Sequence, residues 1–220
     1  MSVTWTNTLI NAHLALVLKR EDLTDRIPEF VDKAERRIAR EFRPRGFEVY
    51  ASFTFTATTA GAIIDLPERY LETIGMWAKS NAAGTADGDV RNAVLPRSYA
   101  FVRSYWPDQT QTGLPKFHAD MGQNAMIVAP TPSAAFTGEL AFFQRLAPLD
   151  SNNENNWLTV HAPDLLISAA LLESAPYLAD DERIQTWQIG YDRLGAVLTG
   201  QEIKYRTSWA ATPRKTVNEQ

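Results

Sequence analysis

The sequence contains no cysteine, which excludes a disulfide framework and any thiolate chemistry. Histidine is almost as scarce: His13, His118 and His161 are far apart in the chain, so a structural zinc has no ligand cluster to draw on. Long apolar runs are missing as well. The richest stretch, around Leu165 to Leu172, is far too short to span a bilayer. The first residues carry no cationic leader followed by a short apolar run and a small-residue cleavage site, so the expectation is a protein made in the cytoplasm with no membrane partner. Positive charge is in deficit: 22 Lys and Arg stand against 26 Asp and Glu, a net charge of -4. That balance argues against a protein whose main task is to grip phosphates, because non-specific nucleic-acid affinity needs many cations on one surface. The common catalytic signatures are also absent. There is no G-x-S-x-G, H-E-x-x-H, G-x-x-x-x-G-K-[ST] or G-x-G-x-x-G, and the chain is expected to be no enzyme and to need no cofactor.

What is present, 220 residues with 45% hydrophobic content, can bury one good core or a core with a smaller module attached. Between Trp5 and Leu18 the apolar residues Trp5, Leu9, Ile10, Leu14, Val17 and Leu18 predict a first helix. A second follows in IPEFVDKAERRIAREF, residues 27–42. Pro28 suits a first turn, and Ile27, Phe30, Val31, Ala34, Ile38 and Phe42 make one apolar stripe. After RPRG the period changes to two: Phe47, Val49, Ala51, Phe53 and Phe55 alternate with polar residues or Tyr50, as in a half-buried strand. Further strands are predicted over 62–66, 73–78, 117–121, 125–129 and 138–146, with GQN at 122–124 as a hairpin connection and RSYAFVRSYW as an inserted short helix. Helical periodicity returns after LDSNNENN. Leu165 to Leu172 is apolar nearly all round, the pattern of a central bundle helix, and Ile184, Trp187, Tyr191, Leu194 and Leu198 repeat at three and four. The predicted class is α+β: a discontinuous helical bundle of residues 1–45 and 156–204, an inserted antiparallel β-sandwich-like domain of 46–155, and an extended C-terminal tail of 205–220.

The second helix poses the functional question. Lys33, Arg36, Arg37 and Arg40 centre on its polar side, although the protein is acidic. Glu29 to Lys33 and Asp32 to Arg36 are acid-before-base pairs at i,i+4, each contributing about 0.2 to 0.5 kcal/mol. Arg37 has only Glu41, in the less favourable order, and Arg40 has no acid four residues before it. A surplus of guanidinium points to a neighbouring protein surface, since arginine suits bidentate pairs at interfaces. Lys204, Arg206, Trp209, Arg214 and Lys215 form a second basic segment with one aromatic anchor, suited to a partner's groove. His118 and Asp120 alternate onto one face of a predicted strand; an outward polar face accounts for them better than proton transfer does. ADGDV and DSNNEN are rich in oxygen but miss the D-x-[DN]-x-[DN]-G pattern, so turn and cap chemistry is expected there. His161, at a helix start, is expected to pack or cap.

Taken in order, IPEFVDKAERRIAREFR at 27–43, IIDLPERYLE at 63–72, MIVAPTPSAAFTGELAFFQRLAPL at 126–149 and NWLTVHAPDLLISAALLESAPYLADDERIQTWQIGYDRL at 156–194 resemble the adaptor, or head-to-tail connector, proteins of short-tailed bacteriophages, including the tail tubular protein A type. Residues 80–113 have no counterpart in the pattern. The resemblance implies a virion structural protein of the neck, not an enzyme. It implies a ring, dodecameric in the family, joining the portal protein to the tail nozzle or tail-fibre proteins, with DNA passing through the lumen without specific binding. Lys33, Arg36, Arg37 and Arg40 would then meet the neighbouring subunit or the portal, and Lys204, Arg206, Trp209, Arg214 and Lys215 the portal. The rival reading is a carbohydrate-binding or receptor-binding β-sandwich, with Tyr99, Tyr105 and Trp106 as its aromatic platform.

Overall fold

A computed structural model describes residues 4–56, 62–82, 90–122, 124–178 and 182–210. Along the chain run α1 (Asn7–Leu18), α2 (Ile27–Glu41), β1 (Glu48–Thr54), β2 (Ile63–Asp65), β3 (Tyr70–Ala82), β4 (Arg91–Pro96), α3 (Tyr99–Tyr105), β5 (Thr112–Gly113), β6 (Phe117–Asp120), β7 (Ala125–Ala129), β8 (Thr131–Pro132), β9 (Phe136–Gln144), α4 (Trp157–His161), α5 (Pro163–Glu173) and α6 (Arg183–Ala210). Contacts divide the chain into two units, one of residues 1–47 with 146–220 and one of 48–145.

The first unit is helical. The Thr6 side chain accepts from the Leu9 N–H and starts α1; Lys19, in a left-handed conformation, ends it. Helix α2 buries Ile27, Phe30, Val31, Ala34, Ile38 and Ala39, the face its periodicity predicted. Its Phe42 lies against α6 at Gly195, where an added Cβ would stand 2.3 Å from the ring. Helix α5 is buried on nearly every side, from Leu165 to Leu172, and packs against α1, α2, α4 and α6. At about 1.5 to 3 kcal/mol for each fully buried large aliphatic side chain, this helix outweighs all the unit's surface ion pairs. The tail expected to be extended from residue 205 is helical through Ala210. No glycine or proline stands between Gln201 and Thr212 to stop the helix, and Arg45 lies 4.0 Å over the Tyr205 ring.

The second unit has one seven-stranded sheet in place of the expected sandwich, in the order β1-β9-β3-β4-β6-β7-β2, with a separate β5-β8 ribbon. Its pairs are antiparallel except β4 with β6. The sheet's main core gathers Phe55, Met76, Val94, Met126, Val128, Leu140 and Phe142 on one face. Helix α3 covers part of the other face through Val102, Ala119, Ile127 and Ala129. Between β6 and β7, Gly122 adopts φ +77, which glycine takes without a Cβ penalty. Strand β4 carried no alternation strong enough to be predicted, and it supplies the parallel pairing that an all-antiparallel reading lacked.

Candidate interaction surfaces

The basic face of α2 is largely paired within its own unit. Lys33 Nζ lies 2.6 Å from Glu29, and Arg36 Nε 2.9 Å from Asp32. These exposed pairs hold the Glu29 carboxyl below its ordinary range and raise the Lys33 ammonium, in each case chiefly through their mutual hydrogen bond. Arg37 is the most enclosed of the four. It reaches Glu41 at 3.0 Å and Glu173 of α5 at 3.5 Å, and its guanidinium sits 4.7 Å over the Tyr191 ring of α6. Burial there works against its charge, but the Glu41 bond prevails and holds the guanidinium above its ordinary value. Tyr191, 1% exposed, donates its hydroxyl to the other oxygen of Glu41 at 2.5 Å. Burial and the acid beside it push that phenol well above its ordinary range. Arg37 and Glu41 thus tie α2 to α5 and α6. Arg40 is exposed and has no ion pair among the described residues. Of the stripe, it is the residue left with its full donor set.

On α6, Lys204 is exposed. The backbone of Arg206 and Trp209 is helical, while Arg214 and Lys215 lie outside the described residues. The outward side of the helix also carries Ile189 at 69%, Val197 at 53% and Ile203 at 59% exposure, apolar positions that the sequence reading passed over.

His118 is not on an outward face. It is 4% exposed, opposite Val128 in the β6–β7 register, and shares that residue's core side, whereas Asp120 is exposed. The face His118 shares with Val128 is the one covered by the sheet's main core, which is why alternation alone placed the imidazole wrongly. Both ring nitrogens lack a hydrogen-bond partner among the described residues, and burial lowers the imidazole pKa.

The DSNNEN loop is built from turns and caps. Asp150 Oδ1 accepts from the N–H groups of Asn152 and Asn153 at 2.7 and 2.8 Å. Glu154 receives the Thr8 N–H at 2.9 Å and its hydroxyl at 3.0 Å, at the start of α1. Asn156 caps α4 in a capping box with Thr159 and also donates to Glu35 Oε1. Glu35, on α2 and 7% exposed, takes the Leu149 N–H at 3.3 Å on its second oxygen. Burial pushes its carboxyl up to about 7 despite those two donors. Sequence reading missed this knot. Most of ADGDV, residues 86–90, lies outside the described residues.

The aromatic candidates on α3 stack on one another. Phe101 and Tyr105 are parallel at 5.5 Å and both meet Phe117 edge-on. Arg103 lies 5.2 Å over Tyr99, Arg97 5.6 Å from Phe101, and Trp106 donates its indole N–H to the Gln111 carbonyl at 2.9 Å.

Comparison with known families decides the broad assignment: the family described as SU10 adaptor protein matches residues 6–215, nearly the whole chain. The chain belongs to that family. It is therefore a phage adaptor protein, a structural phage protein, and the match reaches across both units. No individual curated protein matches the sequence at a significant level. None of the described helices of this adaptor is long and apolar enough to cross a membrane.

Proposed function

We propose that this adaptor is the head-to-tail connector of a short-tailed phage, non-enzymatic, whose copies close into a ring of twelve between the portal protein and the tail nozzle or fibre-bearing proteins, with DNA passing through the lumen unbound. The observation that carries the reading is the adaptor-family match over residues 6–215. Two features support it. A ring subunit meets its neighbours through two different patches, and the helical unit presents two distinct exposed ones, a cationic surface at Arg36 and Arg40 suited to an acidic partner surface and an outward apolar row at Ile189, Val197 and Ile203 suited to an apolar one. The acid balance of the chain also suits a lumen that must release DNA. Arg37, enclosed by Glu41, Glu173 and the Tyr191 ring, serves as a support; Lys33 and Arg36, whose partners are exposed acids of their own helix, and Arg40 are the proposed contacts to a neighbouring subunit or the portal. Lys204, Arg206, Trp209, Arg214 and Lys215 are the proposed portal contacts.

The glycan-binding reading has little behind it. Sugar platforms need free ring faces and a nearby carboxylate, yet guanidinium groups and other rings occupy the faces of Tyr99, Phe101 and Tyr105, and residues 99–106 contain no acid.

The test is electron microscopy of the purified chain mixed with tailless heads or isolated portals. Ring density at the portal vertex is expected. Folded protein that adds none would overturn the connector role. Removing residues 211–220 leaves α6 intact and is expected to weaken portal attachment, and unchanged attachment would sink the tail's part.

A further inference from the structure

We infer that the second unit carries a carboxylate-binding cleft around Arg69 and Arg145, which takes an acidic side chain from an extended segment of a partner protein. The cleft, about 710 Å³, opens beside the turn between Leu66 and Leu71 and is lined also by Glu68, Tyr70, Asp120 and Asn124. Arg69 is the unusual residue. Its backbone sits at φ +61, a left-handed conformation that costs energy for a residue with a Cβ and that glycine would adopt freely. The end of β9 holds it there. Gln144 donates its side-chain N–H to the Glu68 carbonyl at 2.8 Å, and the Arg145 N–H donates to the Arg69 carbonyl at 2.8 Å. A long cationic side chain is thus kept at a position whose backbone favours glycine, and the same two bonds bring the second arginine alongside.

Neither guanidinium is spent. Arg69 Nε is buried without a hydrogen-bond partner among the described residues, an arrangement that leaves a charged donor's desolvation uncompensated. No ion pair joins Arg69 or Arg145 to Glu68 or Asp120, although both acids line the same cleft. Two forked cations in one concavity match the two oxygens of a carboxylate. The acids decide between ligands. Glu68 and Asp120 repel any anion, a chain of phosphates with its several charges and no donors more than a single carboxylate, and they accept hydrogen bonds from the N–H groups that flank an acidic side chain in a peptide. The occupant is accordingly a protein segment with one carboxylate and free backbone donors. That this segment belongs to another virion protein rests on the connector reading; the cleft's chemistry does not.

The experiment is an NMR titration of the ¹⁵N-labelled full chain with the capped tripeptide acetyl-Gly-Glu-Gly-amide, its Gln counterpart and inorganic phosphate. Saturable millimolar shifts confined to residues 66–71, 124 and 145 are expected with the Glu peptide, at least tenfold weaker with the Gln peptide. Arg145→Gln, whose only bond within the turn is a backbone one, is expected to weaken the response at least fivefold without moving the melting midpoint. Arg69→Gly is expected to abolish it while raising that midpoint, because the strain is released. Equal response to both peptides, a response undiminished in these variants, or no saturable shift would overturn the proposal. Tighter binding of phosphate than of the Glu peptide would overturn the protein-segment assignment. All these outcomes are independent of whether a ring forms at the portal.

Discussion

Replacing Glu35 by Gln probes the polar knot that fastens the returning chain, residues 147–156, to α2. The carboxyl is 7% exposed, and its titration midpoint is pushed up from the usual 4.5 to about 7. Burial raises it most. The Leu149 and Asn156 donors oppose that shift, Asp32 adds to it and Arg36 subtracts. Because the folded midpoint is the higher one, the folded state holds a proton that the unfolded chain has already released between pH 4.5 and 7. Stability from this group is therefore complete at low pH and declines as pH rises through that window. With about 1.4 kcal/mol for each tenfold change, the loss comes to about 3 kcal/mol by pH 8. Glu35→Gln cannot ionise, so its stability does not follow this titration, but it presents an N–H₂ to one of the two donors and costs about 1 to 3 kcal/mol relative to the protonated wild type. The stability difference between wild type and Glu35→Gln, from urea unfolding followed by helical circular dichroism, should therefore fall by about 2.5 kcal/mol between pH 5 and pH 8, enough to cancel or reverse the wild-type advantage. The Glu35 carboxyl ¹³C shift should titrate near 7. Parallel stability profiles, or a midpoint below 5, would refute the reasoning.

The same knot makes Asn156→Ala costly: it removes the α4 cap and one partner of a buried carboxyl, for an expected loss of about 2 to 4 kcal/mol at pH 7 by chemical unfolding. Its cost should shrink in a Glu35→Gln background, since the two share one bond. Gly195→Ala should destabilise by about 1 to 3 kcal/mol in thermal unfolding, despite alanine's better helix propensity, because the new Cβ meets the Phe42 ring at 2.3 Å. Tyr191→Phe should cost about 1 to 2 kcal/mol by freeing Glu41 and Arg37 of a buried hydroxyl. Arg40→Glu should leave stability within about 0.5 kcal/mol yet weaken portal or neighbour binding measured by co-sedimentation, whereas Arg37→Gln should lower stability by about 1 kcal/mol.

Local pattern was enough where one element decides its own burial. The stripe Ile27, Phe30, Val31, Ala34 and Ile38 is buried as its spacing demands, and the run from Leu165 to Leu172, apolar but for Ser168, lies central in the helical unit. Where burial depends on a distant segment, the pattern misleads. Glu35 reads as one more charge on an amphipathic helix, and only the arrival of residues 147–156, more than a hundred positions later, encloses it. His118 alternates like an outward residue, but the face it shares with Val128 is covered by the sheet's main core. The α2 cations show the same logic for a functional site. Counting acids four residues away identified Glu29 and Asp32 as partners, yet it could not supply Glu173 or the Tyr191 ring, which reach Arg37 from α5 and α6. A helix wheel states which charges face outward; the neighbouring helices decide which remain available. For this adaptor that selection leaves Arg40 with its full donor set, and Lys33 and Arg36 with only exposed pairs that another carboxylate can replace at a cost of a few tenths of a kcal/mol.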